Sequence, residues 1–294
     1  MTLKIVVLLA WVACAFSMSA VRAEDKKLVL IAGKQSHGPG DHEFRAGCML
    51  LKKCLEKVSG LQVVVETNGW VADPKVFDGA AAVVLYSDGG GGHPYIQADH
   101  KAVIDALAKK GVGIGMMHFA VEVPKDKAGP EFCNWTGGYY EDKFSCNPMW
   151  SPEYKEFPKH PITNGVKPYS CKDEWYMHIR FRPEMKGVTP ILVAKPSDQV
   201  RDGPYVWPKG PYKHIQDDKG KDEIMMWCTE REDGGRGFGW TGGHFHKNWG
   251  DENLRKTILN ALVWVCKLDV PPDGVSSAVT EDDLKQNLDP KGKK

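Results

Sequence analysis

The sequence predicts an α/β domain with a mostly parallel sheet and helices on both faces. Three observations carry this. Short unbroken apolar runs end in Gly or in Ser-Asp, amphipathic stretches with apolar residues three and four apart lie between them, and the two kinds alternate along the chain. Leu28-Val29-Leu30-Ile31-Ala32, closed by Gly33, reads as a first strand buried on both sides. The helix after it carries Phe44, Cys48, Leu51, Leu55 and Val58 on one stripe and stops at Gly60. Leu61 to Glu66 is the second strand, and Ala80 to Tyr86 the third, ending in Ser87-Asp88 and a four-glycine loop. Ile96 to Lys110 is a helix and Val112 to Met117 the fourth strand. Strand patterns resume at Pro190 to Ala194, Glu223 to Thr229 and Gly237 to Thr241. The last helix, Glu252 to Lys267, puts Leu254, Ile258, Ala261, Leu262 and Val265 on one face.

Three segments fall outside this alternation. Residues 1–23 read as a secretory signal peptide, with Lys4, an apolar stretch from Ile5 to Phe16, and Val21-Arg22-Ala23 before the cleavage point. That apolar run is too short to span a bilayer, so the expectation is an exported, periplasmic or secreted protein that is not integral to the membrane. Residues 24–270 form the domain. Within it, about 122–182 is an insertion rich in Gly, Pro, Trp, Tyr and Asn without a sustained period, expected to lie over the carboxyl ends of the strands. The tail 271–294 is polar and charged, and is expected to be mobile. The net charge of +1 with dispersed basic residues gives no footprint for nucleic acid and suits a small neutral ligand. After removal of Cys14, seven cysteines remain, and a disulfide among Cys133, Cys146 and Cys171 is expected in an exported chain.

The chemistry-bearing residues sit at strand ends. Gly111 to Met117 runs into His118, at the place where many open α/β enzymes carry a nucleophilic Cys or Ser. An imidazole there binds a metal or moves a proton instead. Ligand groups in open sheets gather beyond the carboxyl ends of strands, so His37, His42, Asp88, His118 and His244 are expected on one rim. His42, His118 and His244 are the metal-ligand candidates for a divalent, zinc-like ion with a position left open. The competing reading is of histidines packed and hydrogen-bonded at a rim. Gly89 to Gly92 lacks the Gly-Lys-Ser/Thr ending of a phosphate loop, so no nucleotide is expected. No Gly-x-Ser-x-Gly elbow is present and no Cys stands near His118, which argues against a Ser or Cys hydrolase.

The order of these motifs resembles the ThuA-like (trehalose utilisation) family. The sequence places a His-bearing loop after the first strand, His118 at the fourth, and then Lys159-His160-Pro161-Ile162-Thr163-Asn164-Gly165. Asp173-Glu174-Trp175-Tyr176 and Gly242-Gly243-His244 with Trp249 follow, and the last helix ends in Trp264. The resemblance covers about Lys27 to Leu268. It implies a fold similar to the flavodoxin-like, class I glutamine amidotransferase-like type, and a role in carbohydrate metabolism. The chain departs from the family pattern in Gly-His-Phe-His at 243–246, in the two histidines His37 and His42, and in Val121-Glu122-Val123 after His118.

On that reading, His118, Glu174 and Asp173 are the catalytic candidates, the carboxylates as acid and base. Trp175, Tyr176, Trp135 and Asp88 are the candidates for gripping a saccharide, the aromatics by stacking on sugar faces. The function expected is a metal-assisted hydrolase, lyase or isomerase acting on a keto-glycoside or disaccharide. The alternative is a non-catalytic carbohydrate-binding or accessory protein on the same scaffold.

Overall fold

In the computed structural model, which describes residues 25–292, the apolar run of the first strand divides between two cores. Strand β1 (Lys26–Ala32) sends Leu28, Leu30 and Ala32 to one side and Val29 and Ile31 to the other. This period-two split is why the run carries no polar residue. Strands β2 (Leu61–Glu66), β3 (Ala80–Tyr86) and β4 (Gly113–Met117) join it. Strands β5 (Val188–Ala194), β6 (Glu223–Glu230) and β7 (Arg236–Trp240) complete a seven-stranded sheet ordered β5-β6-β7-β4-β3-β1-β2. Only β6 runs antiparallel to its neighbours, so the sheet is mostly parallel, as expected. The residues called signal peptide, 1–23, lie outside the described residues.

Helices cover both faces. On one, α1 (Phe44–Leu55) buries Phe44, Cys48, Leu51 and Leu55, and Lys52 and Lys53 in its last turn complement the helix dipole. Helices α2 (His100–Lys109) and α3 (Lys125–Trp135) pack on the opposite face through Ile104, Ala108, Phe132 and Trp135. Helix α4 (Glu252–Val265) lies with α1, capped by Asp251, whose carboxylate accepts the N–H groups of Asn253 and Leu254, each at 2.9 Å. Helix α2 starts four residues later than expected, because Ala98 takes a left-handed φ of +47° that no helix continues through.

Three expectations are corrected. The insertion is not without structure: it holds α3 and strands of three two-stranded ribbons. One ribbon pairs Met149–Trp150 with Asp173–Glu174 and thereby fixes the two carboxylates. The tail is docked, not loose. Val275 donates its N–H to Asn260 at 2.8 Å, and Lys291 pairs with Glu43 at 3.3 Å, both side chains almost fully buried. The three insertion cysteines are free thiols, since the fold distributes them among separate apolar clusters: Cys146 in a small satellite, Cys133 and Cys171 against opposite faces of the sheet. Among the described residues no helix is long and apolar enough to cross a membrane.

Candidate metal centre

His118 follows β4 directly, and its backbone adopts φ +57°. A side-chain-bearing residue pays about 1 kcal/mol or more for that conformation, and such outliers gather at functional sites. The turn is tight because Gly89, after β3, has no side chain: a Cβ there would lie 2.0 Å from the Phe119 carbonyl oxygen. This contact, rather than phosphate binding, accounts for the start of the glycine run. His42 also sits at positive φ, +48°, and its loop is pinned to the one after β7. Its N–H donates to the His244 carbonyl at 2.9 Å, and the His246 N–H donates to Gly40 at 2.9 Å.

The loop after β7 is shaped by Asp173. This fully buried carboxylate accepts the N–H groups of Gly243 and His244 at 3.0 Å, that of Glu174 at 2.7 Å, and the Asn248 amide at 2.8 Å. Gly243 meets it at φ +108°, a backbone state that L side chains rarely adopt.

Four side chains converge from these elements: His42, His118, His244 and Glu174, all buried, their ligand atoms within 4.8 Å of one another. His42 Nε2 lies 3.0 Å from both His118 Nε2 and His244 Nδ1. Glu174 Oε2 lies 2.8 Å from His244 Nδ1 and 3.6 Å from His118 Nε2. The outer nitrogens decide what faces inward. His42 Nδ1 is 2.8 Å from the Asp88 carboxylate, and His118 Nδ1 is 3.0 Å from the Thr241 carbonyl. Both partners only accept, so each Nδ1 carries the hydrogen and each Nε2 points a lone pair at the other. Burial lowers both pKa values, followed for His42 by His37 and His244 and for His118 by His42 and His244. Protonation is therefore disfavoured as a way to relieve two facing lone pairs. A cation relieves them.

The donor set fits one. Four of the six ligand-atom separations, 2.8 to 3.6 Å, bracket the ~3.3 Å edge of a tetrahedron with metal–ligand bonds of ~2.0 Å, and all six lie within 4.8 Å. Burial pushes His244 down, but Glu174, Asp173 and Asp41 outweigh it and its pKa ends above the usual value. Burial raises Glu174, opposed by His244. Asn147 donates to the other Glu174 oxygen at 2.9 Å.

The sequence of the family model for trehalose utilisation, ThuA, matches residues 28–265. The chain belongs to the ThuA family. Solved structures agree at the level of fold. A ThuA-like protein from Bacteroides uniformis is 14% identical, covers 86% of this chain and 96% of its own, and superposes with a TM-score of 0.56. Another from Parabacteroides merdae is 16% identical, covers 88% and 94%, and gives 0.52. No curated protein matches the chain.

In this ThuA-family protein the rim forecast from strand ends does assemble. His37 stacks on His42 with ring centroids 3.6 Å apart, and its Nδ1 is 3.8 Å from Asp88. Tyr176 lies against His118, ring centroids 5.2 Å apart, but is itself almost fully buried and packed on Tyr140, so it backs the histidine rather than offering a sugar its ring face. Three residues sit elsewhere than expected. Trp135 is wholly buried on the far face among Tyr95 and Phe132, with no ring face for a sugar. Trp175 is likewise enclosed, between Tyr154 and Trp240. Asp173 spends its oxygens on backbone and Asn248, which makes it a positioning residue rather than an acid or base at the reacting bond. Sequence reasoning missed Asn147, the Thr241 carbonyl and Glu122. Burial first, then Asp142 and Glu174, pushes Glu122 up to about 8. The only signal for it was its replacement of the small polar residue expected after His118.

Proposed function

We propose that the protein is an exported, metal-dependent enzyme of saccharide metabolism, a hydrolase, lyase or isomerase acting on a keto-glycoside or disaccharide. The observation that carries it is the pair of inward lone pairs on His42 and His118, 3.0 Å apart and each locked by an acceptor behind it. His42, His118, His244 and Glu174 would hold a divalent transition ion, with Glu174 supplying the negative charge. When bound, the ion supplies Lewis acidity to a sugar carbonyl or lowers the pKa of a water. Asp88 and Thr241 keep the imidazoles in the binding tautomer, and Asn147 keeps Glu174 from turning away. His37, the most exposed of the rim histidines, and Asp41, 3.8 Å from His244 Nε2, are the rim groups that would exchange protons with a bound sugar. Glu122 retains a proton near neutral pH, the state a general acid needs. The family's link to trehalose utilisation supports a saccharide as the ligand.

The ThuA protein as a binding module with a structural ion is the second reading. It is favoured by one observation: four protein donors saturate a tetrahedral ion, and the cluster residues are at most 6% exposed. An ion of higher coordination number keeps positions open with the same donors.

The deciding measurement is elemental analysis of purified residues 24–294 beside His118→Ala. About one equivalent of a transition metal in the parent protein, lost in the variant, is expected, together with metal-dependent turnover in a screen of keto-disaccharides. Protein that stays metal-free after incubation with zinc, manganese and nickel overturns the metal reading. Bound metal with saccharide binding but no turnover selects the binding module. Export is tested by N-terminal sequencing: the mature chain is expected to begin near Glu24, and an uncleaved intracellular chain would refute it.

A further inference from the structure

A cavity of about 370 Å³ opens beside the metal-site candidates, at the carboxyl ends of β1, β2 and β3. Ligands of open α/β sheets bind at the point where strand order reverses, and here that point lies between β1 and β3: the chain leaves β1 toward β2 on one side and leaves β3 toward β4 on the other. The volume lies in the ~300–1,000 Å³ range of small-ligand sites. We infer that this cleft is a subsite for one sugar ring of a disaccharide, whose other ring lies toward the histidine cluster. The inference rests on the saccharide reading above and adds where the ligand is held.

Two kinds of surface meet in the cleft. Trp70 and His100 lie flat on each other, centroids 3.7 Å apart and planes at 7°, with Tyr95 and Phe77 bracing the indole. Trp70 is half-buried, so this braced wall still reaches the cavity. Opposite chemistry comes from Lys34, Asn68, Gln97 and Asp88, which also line it. An apolar wall with amides, an ammonium and a carboxylate is what a pyranose asks for, since its C–H face is apolar and its edge is all hydroxyls. Gln97 is already braced, its amide donating to Gly91 and His93 carbonyls at 3.1 Å. Asn68 holds φ +66° at the cleft. Asp88 belongs to both places: it lines the cavity and bonds His42 Nδ1 at 2.8 Å. A sugar hydroxyl on Asp88 would therefore sit one imidazole away from the cluster.

The test is calorimetric titration of the full chain with trehalose, maltose, cellobiose and methyl α-glucoside, comparing the parent with Trp70→Ala, Asn68→Gly and His118→Ala. A disaccharide is expected to bind more tightly than the methyl glucoside. Trp70→Ala should weaken it by about tenfold, the scale of one lost aromatic contact, and largely erase the difference. Asn68→Gly keeps the left-handed backbone and removes only the amide, so it reports on the cleft even where Trp70→Ala folds poorly; a loss of about threefold is expected. Disaccharide affinity unchanged in Asn68→Gly and in folded Trp70→Ala overturns the subsite, while metal content lost only in His118→Ala leaves the metal reading standing. Affinity that survives in a metal-free parent protein keeps the subsite and shows that the cleft holds the sugar without the ion. Failure of the parent to bind any of the four sugars overturns the subsite, while metal content alone still decides the ion.

Discussion

Asp173 and Glu174 are neighbours in the chain, both buried, and they do opposite work. Asp173 is saturated: four N–H donors converge on its two oxygens. Glu174 joins a cluster in which two imidazoles face each other with nothing to share. The difference teaches how to separate structural from functional polarity in an interior. Burying a polar group is cheap when its partners are complete and expensive when they are not, so incompleteness inside a well-made core marks a place built for a ligand. His93 belongs with Asp173. It is fully buried, yet one ring nitrogen meets the Ala120 carbonyl at 2.9 Å and the other accepts the Tyr95 N–H at 3.0 Å.

The contrast is broken most directly at Asp173. Asp173→Ala leaves three backbone N–H groups unpaired and is expected to cost about 3–5 kcal/mol in urea unfolding, whereas Glu174→Gln should cost far less and abolish metal binding. Equal stability losses for the two would erase the distinction. A second test uses His93, whose pKa burial lowers from 6.5 to about 4. The folded protein resists a proton that the unfolded chain accepts, so stability is full above 6.5 and falls by up to ~3 kcal/mol as pH drops toward 4. Unfolding curves of the parent and His93→Gln across that window should differ in slope, and identical slopes would mean that His93 takes no part in the acid sensitivity. The smallest effect is expected at Asp88. Asp88→Asn should weaken metal binding by about 10- to 100-fold with little change in melting temperature, because it loosens the tautomer of His42 without touching the ion. Unaltered metal affinity would remove Asp88 from the support of the site.

The fold was legible because β1, β3 and α1 carry local patterns that need no partner to be read: unbroken Val and Leu runs, and Phe44 to Leu55 spaced by threes and fours. The histidines were legible for a related reason, since strand ends are fixed by the same patterns and the rim follows from them. Partners contributed from afar were not. Asn147 lies in a stretch without period, and Thr241 contributes a backbone oxygen, which no residue type announces. Trp135 and Trp175 show the converse error: an aromatic suits a sugar and a core equally, and only packing decides. The disulfide expected among Cys133, Cys146 and Cys171 failed for want of the same information, as spacing along the chain says nothing about which side of a sheet a thiol occupies.

The docked tail has a consequence for how the protein comes into being. Lys291 donates to the Asp41 and His42 carbonyls, the latter at 3.2 Å, and so clasps the loop of a prospective metal ligand 249 residues earlier. Loop-closure entropy opposes a contact between segments so far apart until the chain between them has folded, so the clasp is the last support of the His42 loop to form and the first to open: cutting the tail ahead of Lys291 is expected to loosen that loop while the sheet stays intact.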